Sequence, residues 1–226
     1  MKESTVRAVI FDMDGVLTDS EPLICESAIA MFREYGLTVQ PEDFKPFVGT
    51  GENRYLGGVA EKYGLTFDVM AAKRRTYEIY LDWVPSRLTA FPGAADLVRA
   101  CRAAGLKTAV GSSADWIKVK ANLDHIGLPP DGWSAVVTAE DVALRKPHPD
   151  LFLKAAERMG VAPASCVVVE DAPNGIQAAR AAGMRCAAVA QTFPASALKG
   201  ADRIFARIDA VRSADLTALT GRPRPE

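Results

Sequence analysis

The chain has 226 residues, 49% of them hydrophobic and 24% charged, which is the composition of a globular protein with a full hydrophobic core. Its net charge of −1 argues against nucleic acid or an anionic membrane surface as a partner. No apolar stretch is long enough to cross a bilayer, and the polar start of the sequence does not resemble a secretory signal. The four cysteines are far apart and form no Cys-x-x-Cys pair, so we expect reduced thiols and a cytoplasmic protein.

Short apolar runs rich in β-branched residues alternate with helical patterns over most of the sequence. The runs predict strands at 6–11, 107–111, 135–138, 166–169, 186–190 and 203–205. The patterns between the later runs predict helices at 94–104, 114–125, 150–159 and 175–182. This alternation predicts an α/β fold, a Rossmann-like, doubly wound parallel sheet with helices on both faces.

One block breaks the alternation, because no convincing strand lies between the first strand and the second. Helical patterns occupy 22–35, 52–63 and 68–84 instead. We therefore expect a helical cap at 19–92, inserted into a core made of 1–18 and 93–226. An insertion at the carboxyl end of a strand would cover the cleft there, exclude water and select the substrate. The last residues, 220–226, are predicted to be a frayed tail.

Two aspartates follow directly on the first predicted strand. Side chains two residues apart on an extended segment point to the same side, so Asp12 and Asp14 would project together into one cleft. Gly15 then lets the chain turn. In an open α/β sheet, ligands bind at this carboxyl edge of the strands. Two carboxylates held close together need a proton or a cation between them, and Mg²⁺ with oxygen ligands would meet that need.

Two serines, Ser112 and Ser113, follow the second predicted strand. A helix that begins just after them would offer free backbone N–H groups and a hydroxyl to a phosphate group. A serine that only caps the helix explains the same pattern.

A lysine lies in a proline-rich loop, in the order Lys146, Pro147, His148 and Pro149. Each proline favours extended backbone in the residue before it, so the loop could direct the Lys146 ammonium group toward a phosphate and a nucleophilic carboxylate. The alternative is a solvated lysine ahead of a helix whose first turn contains proline and aspartate.

A second apolar strand ends in acid, at Glu170 and Asp171. Adjacent residues of a strand point to opposite faces, so the two carboxylates should have different roles. We assign Asp171 to the metal and Glu170 to hydrogen bonding behind the metal ligands. Asp171 could instead cap the following helix, but capping does not explain why two strands end in acid.

Together and in this order, the motifs resemble those of the haloacid dehalogenase superfamily of phosphohydrolases with an aspartate nucleophile. The likeness covers nearly the whole chain. It is strongest to the branch with a helical cap inserted after the first strand, which includes β-phosphoglucomutase-like proteins and sugar-phosphate phosphatases. The resemblance implies a Mg²⁺-dependent phosphatase that acts on a small phosphorylated metabolite such as a sugar phosphate.

The resemblance also implies roles for the acidic residues. Asp12 would attack phosphorus and carry the phosphoryl group, and Asp14 would act first as an acid and then as a base. The carboxylates of Asp12 and Asp171 and the backbone carbonyl of Asp14 would bind Mg²⁺.

Substrate contacts are expected from both the core and the cap. In the core, Ser112 and the backbone after Ser113 would hold the phosphoryl oxygens, while Lys146 balances their charge. A glycine-containing cap loop should dip into the cleft and contact the substrate through Gly49, Thr50, Glu52 and Arg54. The two glycines of this loop could equally be turn positions.

Other activities of the superfamily fit the sequence less well. A dehalogenase has no alcohol leaving group for Asp14 to protonate. A phosphonatase needs a reactive cap lysine, and no context marks Lys45, Lys62 or Lys73, the last of which begins a charged run predicted to be a solvated helix face. A mutase would be expected to have a cap histidine and a cap arginine, whereas both histidines lie outside the cap and Glu52 stands near the arginine's expected place. A phosphosugar mutase and a non-catalytic regulatory domain remain as alternatives, and the sequence leaves the oligomeric state open.

Overall fold

The structure is a computed structural model that describes residues 5–219. Within this range the strands are β1 (Ala8–Phe11), β2 (Thr18–Asp19), β3 (Thr89–Ala90), β4 (Lys107–Gly111), β5 (Ala135–Val137), β6 (Cys166–Glu170), β7 (Arg185–Val189) and β8 (Arg203–Phe205). The α-helices are α1 (Glu21–Glu34), α2 (Pro41–Phe44), α3 (Glu52–Lys62), α4 (Val69–Arg87), α5 (Ala94–Ala103), α6 (Trp116–His125), α7 (Asp150–Met159), α8 (Pro173–Ala181) and α9 (Ser213–Thr217). The predicted tail at 220–226 lies outside the described residues.

The central feature is a parallel sheet with the strand order β5-β4-β1-β6-β7-β8. All four side chains of β1 are fully buried, as expected for an inner strand covered on both faces. In the register of the sheet, Phe11 at the end of β1 lies opposite Val110 of β4 and Val169 of β6. The carboxyl ends of these three strands therefore lie side by side, and so do the residues that follow them.

Alternate side chains of β1 contribute to two separate cores, one on each face of the sheet. Val9 and Phe11 pack with apolar residues of α5, α6 and α9. Ala8 and Ile10 pack with apolar residues of α7 and α8. The period of two along the strand thus produces the doubly wound arrangement predicted from the sequence, which is confirmed.

The described helices and strands follow the predicted ones closely, with differences at their ends. Helix α6 begins at Trp116, two residues later than predicted, because the preceding residues form the loop that leaves β4. Helix α4 continues past Pro85 to Arg87, three residues beyond its predicted end. Within residues 5–219, no helix combines the length and the apolar character needed to span a membrane.

The chain between residues 21 and 87 is helical and forms its own apolar core. Helices α1 and α4 pack along each other, and α2 and α3 complete the group. The largest fully buried side chains at its centre are Met31, Phe32, Phe44 and Leu56. Helix α2 was not predicted, because four residues are too few to give a periodic pattern.

Two short strands at the base of this helical group contradict the prediction that no strand lies between residues 19 and 92. Strands β2 and β3 pair antiparallel, with Thr18 opposite Ala90 and Asp19 opposite Thr89. A two-residue strand has no detectable alternation, so the sequence pattern could not indicate it. The pairing holds the chain's entry into the helical group beside its exit.

Candidate active site

The predicted motifs meet at the carboxyl edge of the sheet, around the end of β1. Asp12 follows β1 directly, and its backbone N–H donates to the carbonyl of Val169, 2.9 Å away. The chain then turns at Gly15, whose φ of +81° lies in the left-handed region. A Cβ at that position would lie 2.0 Å from Oδ2 of Asp171, so glycine is needed both for the turn and for the close approach.

Lys146 is buried beside Asp12 instead of being solvated. Its Nζ lies 2.7 Å from Oδ1 of Asp12 and 2.7 Å from Oε1 of Glu170. Burial acts to lower the pKa of the Lys146 ammonium, but the two neighbouring carboxylates outweigh it and raise that pKa above its ordinary value. The side chain is therefore a fixed positive charge next to Asp12.

Glu170 lines the cleft beside Lys146 and binds its ammonium group. Its Oε2 accepts the backbone N–H groups of Asp171 and Ala172, each at 2.7 Å. Gly175 of α8 leaves room for this carboxylate, since a Cβ there would lie 1.7 Å from Oε1. These hydrogen bonds fix the rotamer of Glu170, which is what a positioning residue requires.

Three carboxylates crowd together at this point. Asp12, Glu170 and Asp171 are all buried, and each offers an oxygen within 4.8 Å of the oxygens offered by the other two. Burial raises the pKa of Asp12 to about 7, with Lys146 opposing the shift and Glu170 adding to it. Burial, Glu170 and Asp12 raise the pKa of Asp171 well above its usual range. One ammonium group does not balance three carboxylates, and a divalent cation would.

Asp14 lies on the side of the cleft that faces the helical group, with a quarter of its side chain exposed. Its Oδ1 accepts a hydrogen bond from the Ser20 hydroxyl and lies 3.0 Å from Nζ of Lys118. The Ser112 hydroxyl approaches its Oδ2 at 3.5 Å. Asp12 and Asp14 both line a cleft of about 480 Å³, so the structure brings together the two aspartates of the first motif.

The two serines of the second motif have different surroundings. Ser112 is fully buried, and its Oγ accepts the backbone N–H of Ala114 at 3.1 Å, a local contact of the capping kind. Ser113 lines the cleft, and its Oγ is buried without a hydrogen-bond partner among residues 5–219. An unpaired hydroxyl at a cleft wall is well placed to bind an anion.

The loop that precedes α3 contributes two of the four residues predicted there. Gly49 lines the cleft, and its carbonyl accepts a hydrogen bond from Nδ2 of Asn174 at 2.8 Å. Glu52 is buried and lines an adjoining cavity of about 400 Å³.

The structure does not bring the other two predicted residues into the cleft. The hydroxyl of Thr50 is directed back to the carbonyl of Phe47 at 2.7 Å on the exposed side of the loop. Arg54 pairs with Glu61 at 2.8 Å and lies over the Phe47 ring, with half of its side chain exposed. Both point away because their helical and loop positions face outward, which a linear motif does not reveal.

Sequence reasoning missed a polar seam between the helical group and the core. Its members are Lys73, Tyr77 and Tyr80 on α4 and Asp115, Lys118 and Asn122 at α6. Nζ of Lys73 lies 2.5 Å from Oδ2 of Asp115, and the Tyr80 hydroxyl donates to Oδ1 of Asn122 at 2.8 Å. The prediction that Lys73 belongs to a solvated face is therefore wrong. Polar residues spaced three and seven apart on each helix were the available signal.

Lys118 is the member of this seam that reaches the cleft. Its side chain is 4% exposed, with Nζ 3.0 Å from Oδ1 of Asp14 and 3.5 Å from Oε1 of Glu52. Burial acts to lower its pKa, but Asp14 and Glu52 outweigh burial and raise it. The sequence predictions considered Lys146 and the lysines of the predicted cap, whereas Lys118 lies on α6 of the core.

A family profile of haloacid dehalogenase-like hydrolases matches residues 6–183, and the chain belongs to this family. The resemblance inferred from the motifs is confirmed.

Individual relatives agree with the family. The chloroplastic protein SUPPRESSOR OF QUENCHING 1 of Arabidopsis thaliana is 49% identical over 219 residues, which is 96% of this chain but 21% of that protein. The chain thus spans about a fifth of that relative's length. The fructose-1-phosphate phosphatase YqaB of Escherichia coli is 36% identical over 176 residues, covering 78% of this chain and 92% of the enzyme. Family and relatives make this chain a phosphoric monoester hydrolase.

A solved structure shows the same fold. CbbY from Rhodobacter sphaeroides, determined in complex with phosphate, superimposes with a TM-score of 0.85 over 93% of this chain and 99% of the other. Their sequences are 24% identical.

Proposed function

We propose that the chain is a Mg²⁺-dependent phosphatase that hydrolyses a small phosphorylated metabolite through an aspartyl-phosphate on Asp12. The observation that carries the proposal is the environment of Asp12. Its carboxylate stands at the wall of a cleft, 2.7 Å from a buried ammonium group and close to two further carboxylates. Phosphoryl transfer depends mainly on positioning and charge stabilisation, which such a cluster of fixed charges can supply.

The donor set fits Mg²⁺, a hard cation that prefers oxygen ligands. Carboxylate oxygens of Asp12 and Asp171 lie within reach of one ion, and burial together with neighbouring carboxylates raises the pKa of both carboxyl groups. We assign the ion to these two side chains and the backbone carbonyl of Asp14. Bound there, Mg²⁺ would offset negative charge on the phosphoryl group.

The protein groups would act in two steps. In the first, the Asp12 carboxylate attacks phosphorus, the bond to the ester oxygen breaks, and Asp14 gives that oxygen a proton. In the second, Asp14 takes a proton from water, which attacks phosphorus and releases phosphate and the free Asp12 carboxylate. Ser112 and the backbone after Ser113 would hold the phosphoryl oxygens throughout, with the Ser113 hydroxyl at the wall of the same cleft, and Lys146 would balance their charge.

Hydrolysis is favoured over a mutase reaction. Arg54 is engaged with Glu61, and Glu52 lines the cavity in which a mutase would need a cation for a second phosphate. A sugar phosphate as substrate is supported by YqaB, whose name gives fructose 1-phosphate as its substrate. We retain the segment 19–92 as the cap and the rest as the core.

We propose a cytoplasmic location for the protein. The scattered cysteines favour a cytoplasmic protein, while the plant relative is described as chloroplastic. Cell fractionation with an antibody against the chain would decide between them.

The test is release of inorganic phosphate from a panel of phosphorylated sugars, sugar acids and nucleotides, with and without Mg²⁺. The native chain should turn over at least one ester only with Mg²⁺, and Asp12→Asn should lose that activity by several orders of magnitude. Asp131→Asn, on an exposed loop, is the matched control. Isomerised sugar phosphate without free phosphate would instead identify a mutase, and binding without turnover would identify a regulatory domain.

A further inference from the structure

The adjoining cavity lies between the helical cap and the core, and Asp14 contributes to its lining whereas Asp12 does not. Asp14, Glu21, Gly49 and Ser113 line both this cavity and the main cleft, so the two spaces are continuous. A phosphoryl group held at Asp12 would therefore extend its alcohol portion into the adjoining cavity.

The charges that line the cavity are mostly negative. Asp14, Glu21 and Glu52 contribute carboxyl groups, and Lys118 contributes the one lysine or arginine among the described lining residues. That ammonium group is already engaged, since its Nζ lies 3.0 Å from Asp14 and 3.5 Å from Glu52. The lining thus has no uncommitted cation with which to bind a second anionic group.

Glu52 has an unsatisfied hydrogen-bond acceptor in this cavity. It is 7% exposed, and its Oε2 is buried with no hydrogen-bond partner among residues 5–219. A buried polar atom without a partner is costly, so a donor brought by a ligand would be favourable there. Glu21 adds a second acceptor nearby, with Oε1 receiving the Tyr55 hydroxyl at 3.0 Å.

Arg145 is a further cation beside the cavity and leaves the lining negatively charged overall. Its guanidinium packs against Gly51 at the rim and lies 4.0 Å from Asp115, which also binds Lys73. The charged residues that line the cavity have a net charge of −2. Arg145, Asp115 and Lys73 together add +1, so the net charge around the cavity remains negative.

We propose that this cavity selects phosphate esters of neutral alcohols rich in hydroxyl groups and rejects esters that carry a second phosphate or a carboxylate, with Glu52 as the specificity-determining residue. The inference rests on the proposed phosphatase function and adds to it the class of leaving group. Hydroxyl donors of such an alcohol satisfy Glu52 and Glu21, whereas a second anion meets carboxylates.

The experiment compares kcat/KM for matched pairs of esters. Fructose 1-phosphate is paired with fructose 1,6-bisphosphate, and sorbitol 6-phosphate with 6-phosphogluconate. For the ester whose alcohol portion is uncharged, the native enzyme should have a kcat/KM about 100-fold higher than for its partner. Glu52→Gln should reduce this ratio of kcat/KM values by about tenfold, because one negative charge close to the alcohol portion is removed. Asp82→Asn, at an exposed position of the cap helix α4, should leave the ratio unchanged. The ratio is independent of how much of each variant is folded.

The outcomes separate this inference from the function on which it rests. Turnover of p-nitrophenyl phosphate with equal rates for both members of each pair overturns the selectivity and leaves the phosphatase standing. So does a preference for the bisphosphate that Arg145→Ala abolishes, since the rim would then bind the anion. Absence of turnover of every ester, p-nitrophenyl phosphate included, overturns both.

Discussion

Asp14 has contacts that suit a proton carrier: it lies at the cleft wall, partly exposed, with Lys118 and two hydroxyl groups around its carboxylate. We expect Asp14→Asn to slow release of an alkyl alcohol by about 10²- to 10⁴-fold, because that leaving group needs a proton. The first-turnover burst of p-nitrophenol should be nearly preserved, since nitrophenolate leaves unprotonated. Rapid-mixing kinetics on both esters would measure this difference.

An equal loss of both first-turnover rates in Asp14→Asn would contradict the role as acid. Asp96→Asn, on the exposed face of α5, provides the control for a change of charge alone.

A comparison of Gly15 with Gly36 separates two effects of replacing a glycine: strain in the left-handed backbone and collision of the new Cβ with Asp171. Both have a positive φ, but a Cβ at Gly15 would meet Asp171 at 2.0 Å, whereas one at Gly36 would meet nothing within 4 Å. Gly36→Ala should lower the free energy of unfolding by about 1–2 kcal/mol and leave activity intact. Gly15→Ala should cost more and also abolish Mg²⁺-dependent activity by displacing Asp171.

Urea unfolding and phosphate release would be measured on both glycine variants. If the two lost activity and stability alike, the contact between Gly15 and Asp171 would have no special importance.

Between elements, the polar seam joins α4 of the cap to α6 of the core through one buried ion pair. Lys73→Met would leave the Asp115 carboxylate buried with only Arg145 nearby, and should reduce the free energy of unfolding by about 3 kcal/mol. The double variant Lys73→Met/Asp115→Leu should recover much of that loss, because no unpaired charge remains.

The control is Arg75→Met on the same helix. Its pair with Glu34 is about half exposed on both sides and should be worth less than about 1 kcal/mol. If urea unfolding showed that Lys73→Met and Arg75→Met lower the free energy of unfolding equally, burial would not make the Lys73–Asp115 pair more important for stability.

The same comparison of elements shows what the sequence could predict. Strands and helices of the sheet were predictable because each is a long periodic segment with a clear end signal, as in α7, found at 150–159 as expected. Asp12 and Asp171 were predictable because each follows a strand of a parallel sheet, and the carboxyl ends of such strands share one edge. Lys146 lies in a loop, and its role was predicted from the order of the motifs. Lys118 was not, because its importance arises from the packing of α4 on α6, which links residues far apart in the chain. The direction of Arg54 likewise depends on how α3 rotates in the cap.

For the whole molecule, we expect Mg²⁺ binding to increase the stability of the folded state. The cleft holds three buried carboxylates near one ammonium group, so the folded state has a repulsion that Mg²⁺ would relieve and the unfolded chain does not have. At about 100 times its Kd, Mg²⁺ should add about 2.7 kcal/mol to the free energy of unfolding. Thermal unfolding with increasing Mg²⁺ would show Tm rising accordingly.

Asp171→Asn should remove that response while Asp131→Asn keeps it. A Tm of the native chain that does not change with Mg²⁺, or one that rises equally in both variants, would count against the assigned ligands.

The antiparallel pairing of β2 with β3 has a consequence for how such a protein can change. Because Asp19 and Thr89 are paired in the two-stranded sheet of β2 and β3, loss or replacement of the segment between them would leave a gap that a tight turn could bridge. The helical group, which carries Glu21 and Glu52, could therefore be exchanged without altering the register of the strands that precede Asp12 and Asp171. Under the proposed function, substrate selection and phosphate hydrolysis could then be altered separately, and the β2–β3 junction is the place at which a different helical segment would be joined in a designed protein.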